Sequence, residues 1–346
     1  MFTAVSTEFA DLIARGTALR ASLAEAGGPP AAGRLLAARR DLAADDRELL
    51  AWWRDDAVRG VFEVRAAADP GSLELFNLVD DLVYQVHGVA PAEPVTAGMF
   101  VSGTLLPLTE DDTAWLASGD EVVYPAGDGR RVAGLAIDMA TQDPDLVFRN
   151  PDKATQGWEH MRKDREEFLS FFGADELVFP TAEAEGRLNA YYKMRRDAML
   201  SARGRHRQVS ESGETTFVMP PGFFEFETVG IIYDETDGFV VVPEYGALRE
   251  LFADPALAAD RPHAEVLKAY LREDAIPPLP LRRIAAGAPP EQVDAVYRKV
   301  LGNRNFTWEA NGDALLRKRK PAYYADEPTP GVAVLSDRVL ELARGA

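Results

Sequence analysis

A row of short apolar segments between Val58 and Pro125 constrains the fold of this chain more than any other feature of its sequence. Apolar and polar residues alternate within these segments, and turn residues such as Asp69-Pro70-Gly71 separate them. Five short strands at this spacing are typical of a small closed or half-closed barrel of the SH3 or OB type. The last segment, Thr113–Val123, is predicted to form a hairpin folded over Gly119-Asp120.

Helical periodicity predominates on both sides of these strands, so the fold class is predicted to be α+β. The paired Trp52 and Trp53 are expected to pack against the barrel. A second hairpin is predicted across the acidic turn Asp234–Gly238. The predicted architecture is a small five-stranded barrel flanked by helical segments and followed by a mixed α/β-hairpin region. We expect four segments: a helical N-terminal segment 1–56, the small β-barrel 57–135, a helical middle region 136–208, and a mixed hairpin and helix C-terminal region 209–346.

Cysteine is absent and histidine occurs four times in 346 residues. Disulfides, thiolate nucleophiles, iron–sulfur clusters and cysteine zinc sites are therefore excluded, and the sequence predicts no metal site and no cofactor. No run of about eighteen apolar residues is present, so no membrane-spanning helix is predicted. The N-terminal stretch has acidic residues within its apolar part, which disfavours a secretory signal. We expect a cytoplasmic protein without a membrane association.

The formal net charge is −18, and a field of this sign repels a phosphate backbone. A contact with nucleic acid therefore requires a local basic patch. One such patch lies between residues 187 and 207, where Asp197 is the single acidic residue. Its basic residues, with two interleaved tyrosines of the kind that stack on bases, form the candidate anion-binding site: Arg187, Tyr191, Tyr192, Lys193, Arg195, Arg196, Arg203, Arg205 and Arg207.

A second basic patch of the same kind runs from Arg317 to Lys320, next to Pro321 and the pair Tyr323-Tyr324. The alternative interpretation of both patches is that their arginines pair with the abundant carboxylates, within this chain or on another protomer. The sequence does not decide between these interpretations. It also leaves the oligomeric state open.

Catalytic groups are sparse. No G-x-S-x-G motif and no phosphate-binding glycine loop is present. His160 precedes Asp164 by one helical turn and follows Glu159, so these three residues are the candidate acid–base group if the protein is an enzyme. The turn Asp234–Gly238 has the oxygen-rich composition of a calcium loop, but it lacks the closing glutamate and is more typical of an exposed turn.

Three stretches together resemble a known group of proteins: Phe76–Val86 with Gly98–Leu108, Val229–Glu235 with Val242–Gly246, and Phe306–Trp308 followed by Leu315–Pro321. The order and the residue patterns of these stretches are similar to those of uncharacterised bacterial proteins. Relatives of those proteins often carry a SEC-C tail, which is a short cysteine-rich zinc module named from SecA. The resemblance implies barrel strands, turns and packed aromatics. The final residues of this chain contain neither Cys nor His, so zinc and docking through such a tail are not carried over.

The sequence therefore predicts a binding protein rather than an enzyme. The partner is expected to be anionic, either nucleic acid or the acidic surface of another protein, and the 187–207 patch is expected to contact it. The alternatives are an enzyme that uses carboxylate and histidine acid–base groups, and a structural subunit of an assembly.

Overall fold

The computed structural model describes residues 7–69, 72–88, 95–111, 113–202, 217–325 and 327–345. Its helices are α1 (Thr7–Glu25), α2 (Ala32–Ala38), α3 (Ala44–Asp55), α4 (Gly129–Gln142), α5 (Asp145–Phe148), α6 (Pro151–Phe172), α7 (Thr181–Ala202), α8 (Tyr245–Ala253), α9 (Arg261–Arg272), α10 (Leu279–Gly287), α11 (Pro290–Leu301), α12 (Trp308–Arg319) and α13 (Asp337–Arg344). Its strands are β1 (Val58–Asp69), β2 (Ser72–Asn77), β3 (Val83–His87), β4 (Phe100–Pro107), β5 (Trp115–Ala117), β6 (Val122–Tyr124), β7 (Glu176–Pro180), β8 (Thr228–Asp234) and β9 (Gly238–Pro243).

The predicted five-stranded barrel is confirmed. The strands close in the order β1-β2-β3-β5-β4, and β4 pairs again with β1. The pair β3–β5 is parallel and the other pairs are antiparallel. This Greek-key order, with the third strand between the second and the fifth, is that of an OB-type barrel. Residues of β2 alternate between buried and half-buried positions, as a strand with one face on the core requires.

The predicted hairpin over Gly119-Asp120 is wrong. Strands β5 and β6 do not pair with each other but with successive parts of one edge of β4, through Leu106–Leu116 and Val101–Val123. Residues 115–124 are therefore one bent return strand. The reason is that Ser118 N–H donates to Thr104 O at 3.0 Å, which keeps the bend attached to β4.

The N-terminal helices cover the barrel on the side of β4 and β5. Trp53 is buried, as predicted, and its Nε1–H donates to Pro107 O at 2.9 Å. Leu106 and Leu116 belong to the same apolar cluster as Trp53. A separate cluster fills the barrel, and in it the rings of Tyr84 and Trp115 meet edge to face at 5.1 Å.

The chain forms two units, of which the first comprises Met1–Gly157 and Val332–Ala346. Helix α13 packs on α4 and completes the apolar cluster around Val132 and Leu342. The guanidinium of Arg338 binds both oxygens of Glu63, which is 5% exposed, at 2.8 and 3.2 Å. The C-terminal residues therefore supply both apolar contacts and a counter-charge to the first unit.

The second unit comprises Trp158–Gly331 and contains the three-stranded antiparallel sheet β7-β8-β9. The predicted hairpin over Asp234–Gly238 is confirmed, since Asp234 pairs with Gly238. Helices α8 to α12 form one apolar cluster with this sheet, and aromatic residues of α6 and α7 form another. In the described residues of both units, no helix combines the length and the apolar character needed to span a bilayer.

A buried polar cluster lies between β2 and β3 of the first unit. Asp80 is fully buried, and its carboxylate accepts hydrogen bonds from Tyr84 Oη at 2.6 Å, Asn77 Nδ2 at 2.8 Å and the N–H of Leu82 at 2.9 Å. Burial raises the pKa of Asp80 to about 6, because these hydrogen bonds only partly offset the loss of water around the charge. Ionised Asp80 is therefore a destabilising element near neutral pH.

We expect Asp80 to make the free energy of unfolding fall as pH rises from about 4 to about 6. The native state holds this proton more tightly than the unfolded chain, whose carboxyl has its ordinary pKa, so the contribution is complete below the ordinary pKa and is lost as pH rises through the native one. The total is at most about 3 kcal/mol. Urea unfolding of the wild type and of Asp80→Asn at a series of pH values measures it. Parallel pH curves for the two proteins would contradict this assignment.

Gly230 lies in the central strand β8 where a side chain has no room. A Cβ at this position would lie 2.5 Å from ring atoms of Tyr245, which is itself fully buried. We expect Gly230→Ala to lower the free energy of unfolding by about 1–3 kcal/mol, the usual cost of an overpacked core. The matched control is Gly134→Ala on α4, where the added methyl meets nothing within 4 Å and helix propensity favours alanine. Equal stability of the two variants would refute the prediction.

Candidate binding cleft

The described part of the basic patch predicted at 187–207 lies on α7, and Arg195 within it is already paired with carboxylates. Arg195 binds the carboxylate of Asp164, and its Nε lies 2.9 Å from Glu167 Oε2. Its guanidinium also lies over the ring of Tyr191 at 5.8 Å. The side chain of Arg195 is 25% exposed, so a competing anion would have to replace two partners in a partly desolvated place.

The two tyrosines of this patch pack against other aromatic side chains rather than lying exposed to solvent. Tyr191 is 1% exposed and lies against Phe168 and Phe172, so its ring is not available for stacking on a base. Tyr192 is half-buried and stacks on Phe217 at 6.5 Å. The prediction that Tyr191 stacks on a ligand is corrected here: the residue belongs to the core of the second unit because α7 packs on α6 and β8 through this face.

The other positions of the patch differ among themselves. Arg187 is exposed and lies 3.9 Å from Glu183, one helical turn away. Lys193 is exposed, and Arg196 is half-buried. Arg203, Arg205 and Arg207 lie outside the described residues. The described part of α7 therefore offers scattered exposed cations rather than a continuous row.

The described residues do not bring the acid–base group of the enzyme hypothesis together in one cleft. Glu159 and His160 lie at exposed positions of α6. Asp164 is the partner of Arg195. These three residues therefore do not meet the requirement of a shared pocket that acid–base catalysis imposes.

The second basic patch of the sequence borders a cleft in the second unit. Its volume is about 630 Å³, within the range of small-molecule sites. The β8–β9 turn, α10, the end of α12 and the residues after α12 form its walls. The charged and aromatic residues among those that line it are Asp234, Asp237, Arg282, Arg283, Arg317, Tyr323, Tyr324 and Glu327.

Two arginines from different helices converge on one ring in this cleft. Arg317 of α12 lies over Tyr324 with its guanidinium carbon 4.6 Å from the ring centroid, and Arg282 of α10 lies 6.0 Å from the same centroid. Both side chains are about half exposed. Each arginine has one carboxylate partner, Asp313 at 2.8 Å for Arg317 and Asp237 at 3.5 Å for Arg282.

A third arginine holds the wall of the cleft in place. Arg283 binds Asp234 at 2.7 Å and lies 3.4 Å from Asp175, which also binds Arg165. Asp234 accepts the N–H groups of Thr236 and Asp237 in the turn. This network attaches α10 to the β8–β9 hairpin, so the acidic turn that the sequence singled out has a structural role in shaping the cleft.

Two carboxylates of the turn have opposite electrostatic surroundings. Burial works against ionisation of Asp234, yet the turn N–H groups and Arg283 hold its pKa below its ordinary value. Burial raises the pKa of Asp237, and the charge of Asp234 adds to this while Arg282 opposes it. Of these two carboxylates, Asp237 is therefore the one that accepts a proton more readily than an ordinary aspartate. Among the described residues, no group of His, Asp and Glu side chains is arranged to hold a metal ion.

Tyr324, which lines the cleft, has a hydroxyl group without a hydrogen-bond partner among the described residues. The oxygen of this hydroxyl is buried. A buried hydroxyl without a partner costs about 1–3 kcal/mol, so this atom is a candidate for contact with a ligand or a bound water. The preceding residue, Tyr323, also lines the cleft and is 43% exposed.

Sequence reasoning found Arg317, Tyr323 and Tyr324 but missed Arg282 and Arg283. The last two follow a proline-rich apolar run, Ile276–Leu281, with no other basic residue beside them. Their only sequence signal is an adjacent pair of arginines on a short helix. About thirty-five residues separate them from Arg317, so their convergence depends on how α10 and α12 pack in the fold.

Comparison of the chain with known proteins found no matching family model, no matching curated protein and no matching solved structure. The resemblance to proteins with SEC-C tails therefore stays a prediction.

Proposed function

We propose that this protein is a cytoplasmic binding protein for an anionic ligand, and that the cleft of the second unit is its binding site. The observation that carries the proposal is the convergence of Arg282 and Arg317 on the ring of Tyr324 at the wall of this cleft. The proposal keeps the anionic partner expected from the sequence. It transfers the contact from α7 to the second basic patch.

The strength of the competing ion pairs favours the cleft over α7. The pair of Arg317 with Asp313 is solvent-exposed, and an exposed pair contributes about 0–1 kcal/mol. Arg282 is about half exposed and lies 3.5 Å from its one carboxylate partner, the less exposed Asp237. A ligand anion that binds these guanidinium groups therefore displaces weak partners. Arg195 on α7 is less exposed and has two carboxylates, so the same exchange there costs more.

The cleft favours an anion that carries a flat ring and hydroxyl groups. Arginine recognises carboxylate and phosphate through paired N–H donors, and two arginines on one wall suit a phosphate. The exposed ring of Tyr323 offers a face for stacking. The carboxylate of Asp237, 3.5 Å from Arg282, is an acceptor that suits a sugar hydroxyl. A nucleotide unit combines these three features, and the volume of about 630 Å³ accommodates one.

The nucleotide unit has two sources, a free mononucleotide or the end of a nucleic-acid strand. A strand adds further phosphates, whose binding requires cations beyond the cleft and falls steeply with salt concentration. A free mononucleotide depends much less on salt. Titrations with AMP and with a short single-stranded oligonucleotide, each at two salt concentrations, distinguish the two sources.

We expect AMP to bind the wild type, and Arg317→Met and Arg282→Met to weaken the binding by about tenfold to a hundredfold each. The reason is that each substitution removes one charge-assisted hydrogen-bond donor, which contributes about 1.5–3 kcal/mol. Methionine keeps much of the apolar contact with Tyr324. Isothermal titration calorimetry measures the dissociation constants.

The matched control is Arg187→Met on α7, an exposed arginine with one carboxylate neighbour, like Arg317. It is expected to bind AMP as the wild type does. Loss of binding in Arg187→Met with retention in both cleft variants would assign the site to α7 and overturn the proposal. Absence of saturable binding of AMP and of the oligonucleotide to the wild type would also overturn it.

A further inference from the structure

A second, smaller cavity lies in the first unit where the barrel strands β3 and β5 separate. Its volume is about 230 Å³, and its lining residues are Leu82, Val83, Tyr84, Trp115 and Arg149. The pairing of β3 with β5 begins at Val86 and Trp115, so the first three residues of β3 have no partner from β5. The cavity occupies the gap that this late pairing leaves in the barrel wall.

Arg149 is the one charged residue of this lining, and it interacts with Tyr84 and with the charge of Asp80. Its Nε is buried and has no hydrogen-bond partner among the described residues. The nearby carboxylate of Asp80 interacts with this charge, but its hydrogen bonds come from Asn77, Tyr84 and the N–H of Leu82. A buried guanidinium donor without an acceptor costs about 1–3 kcal/mol, so this atom is a candidate for contact with a ligand.

The surroundings of Arg149 fix its place. It follows α5 directly, and the next residue, Asn150, donates from Nδ2 to the carbonyl oxygen of Asp80 at 2.8 Å. One turn further along, the buried Lys153 binds Asp81 at 2.6 Å and donates to Val334 O at 3.1 Å. These contacts tie the segment to the turn between β2 and β3. The backbone that carries Arg149 is therefore fixed beside the cavity.

Aromatic and aliphatic side chains form the rest of the lining. Tyr84 and Trp115 are 4% and 1% exposed and meet edge to face, so their rings form a rigid wall. Val83 at the rim is 55% exposed, which leaves the cavity accessible from solvent. A lining that combines aromatic rings with a guanidinium matches a ligand that has a ring and a carboxylate.

We propose that this cavity binds a small aromatic carboxylic acid, whose carboxylate accepts hydrogen bonds from Arg149 and whose ring packs on Trp115 and Tyr84. The volume of about 230 Å³ admits a single ring with its carboxylate and is too small for a nucleotide. A carboxylate supplies the acceptor that Arg149 Nε lacks, whereas a neutral amide of the same shape supplies no charge. This site is separate from the cleft of the second unit and does not depend on the function proposed for it.

Benzoate and its neutral isostere benzamide test the proposal with the full chain. Benzoate is expected to bind with a millimolar dissociation constant and to shift the indole N–H resonance of Trp115, which Trp115→Phe identifies in a nitrogen-15 correlation spectrum. Benzamide is expected to bind at least about tenfold more weakly, because it forms no charge-assisted hydrogen bond with the guanidinium. Equal binding of the two compounds, or a benzoate titration that leaves the Trp115 resonance unmoved, would overturn the proposal.

Arg149→Met is expected to weaken benzoate binding by about tenfold or more, again from the loss of a charge-assisted contact. The control in the same unit is Arg131→Met, because Arg131 is 70% exposed and lies over the ring of Tyr124 away from this lining. It is expected to bind benzoate unchanged. If Arg149→Met does not fold, Arg149→Lys keeps the charge and loses the planar donor pair, and it is expected to bind benzoate more weakly than the wild type. Wild-type affinity in a folded Arg149 variant would refute the assignment.

Discussion

An excess of carboxylates is the constraint that decides which arginines of this protein remain open to a further contact. The chain has 56 acidic residues and 38 basic ones, and arginines of both basic patches are paired with carboxylates. What distinguishes one arginine from another is how deeply its ion pair is buried. Arg195 is held by two carboxylates in a partly desolvated place, while Arg317 has one partner and is about half exposed. Because the energy of an ion pair depends on its exposure, the same residue type is structural on α7 and available in the cleft.

The barrel was predictable from the sequence because each strand has a recognisable pattern within a few neighbouring residues. Alternation within β2 and the turn residues after β1 are properties of a few neighbouring residues, and they predicted five strands correctly. The pairing of β5 and β6 was not predictable in this way. The dipeptide Gly119-Asp120 is typical of a hairpin turn, yet the chain bends there and both β5 and β6 pair with β4. The reason is that long-range contacts decide which strands pair. Likewise, nothing local in residues 332–345 indicates that they belong with the first unit.

The candidate sites were less predictable than the fold, for the same physical reason. Counting charges along the chain located the patches at 187–207 and 317–320, but burial decides their use and is not visible in a count. Tyr191 illustrates this, since its position among arginines suggested a stacking surface and its side chain is part of a core. Arg149 had no distinguishing signal at all. Its importance arises from an unpaired donor and a gap between two strands, which exist only after folding.

The first unit contains residues from both ends of the sequence, and this has a consequence for folding during translation. Domains generally fold from the N-terminus as they emerge from the ribosome, at about 5–20 residues per second. In this chain Arg338 binds the buried carboxylate of Glu63, and α13 packs on the apolar face of α4. Both contacts can form only after all of Trp158–Gly331 has been translated. The nascent first unit therefore spends this interval, about 9–35 s, with an uncovered helix face and an incompletely paired acid. During translation the second unit can complete its contacts before the first does.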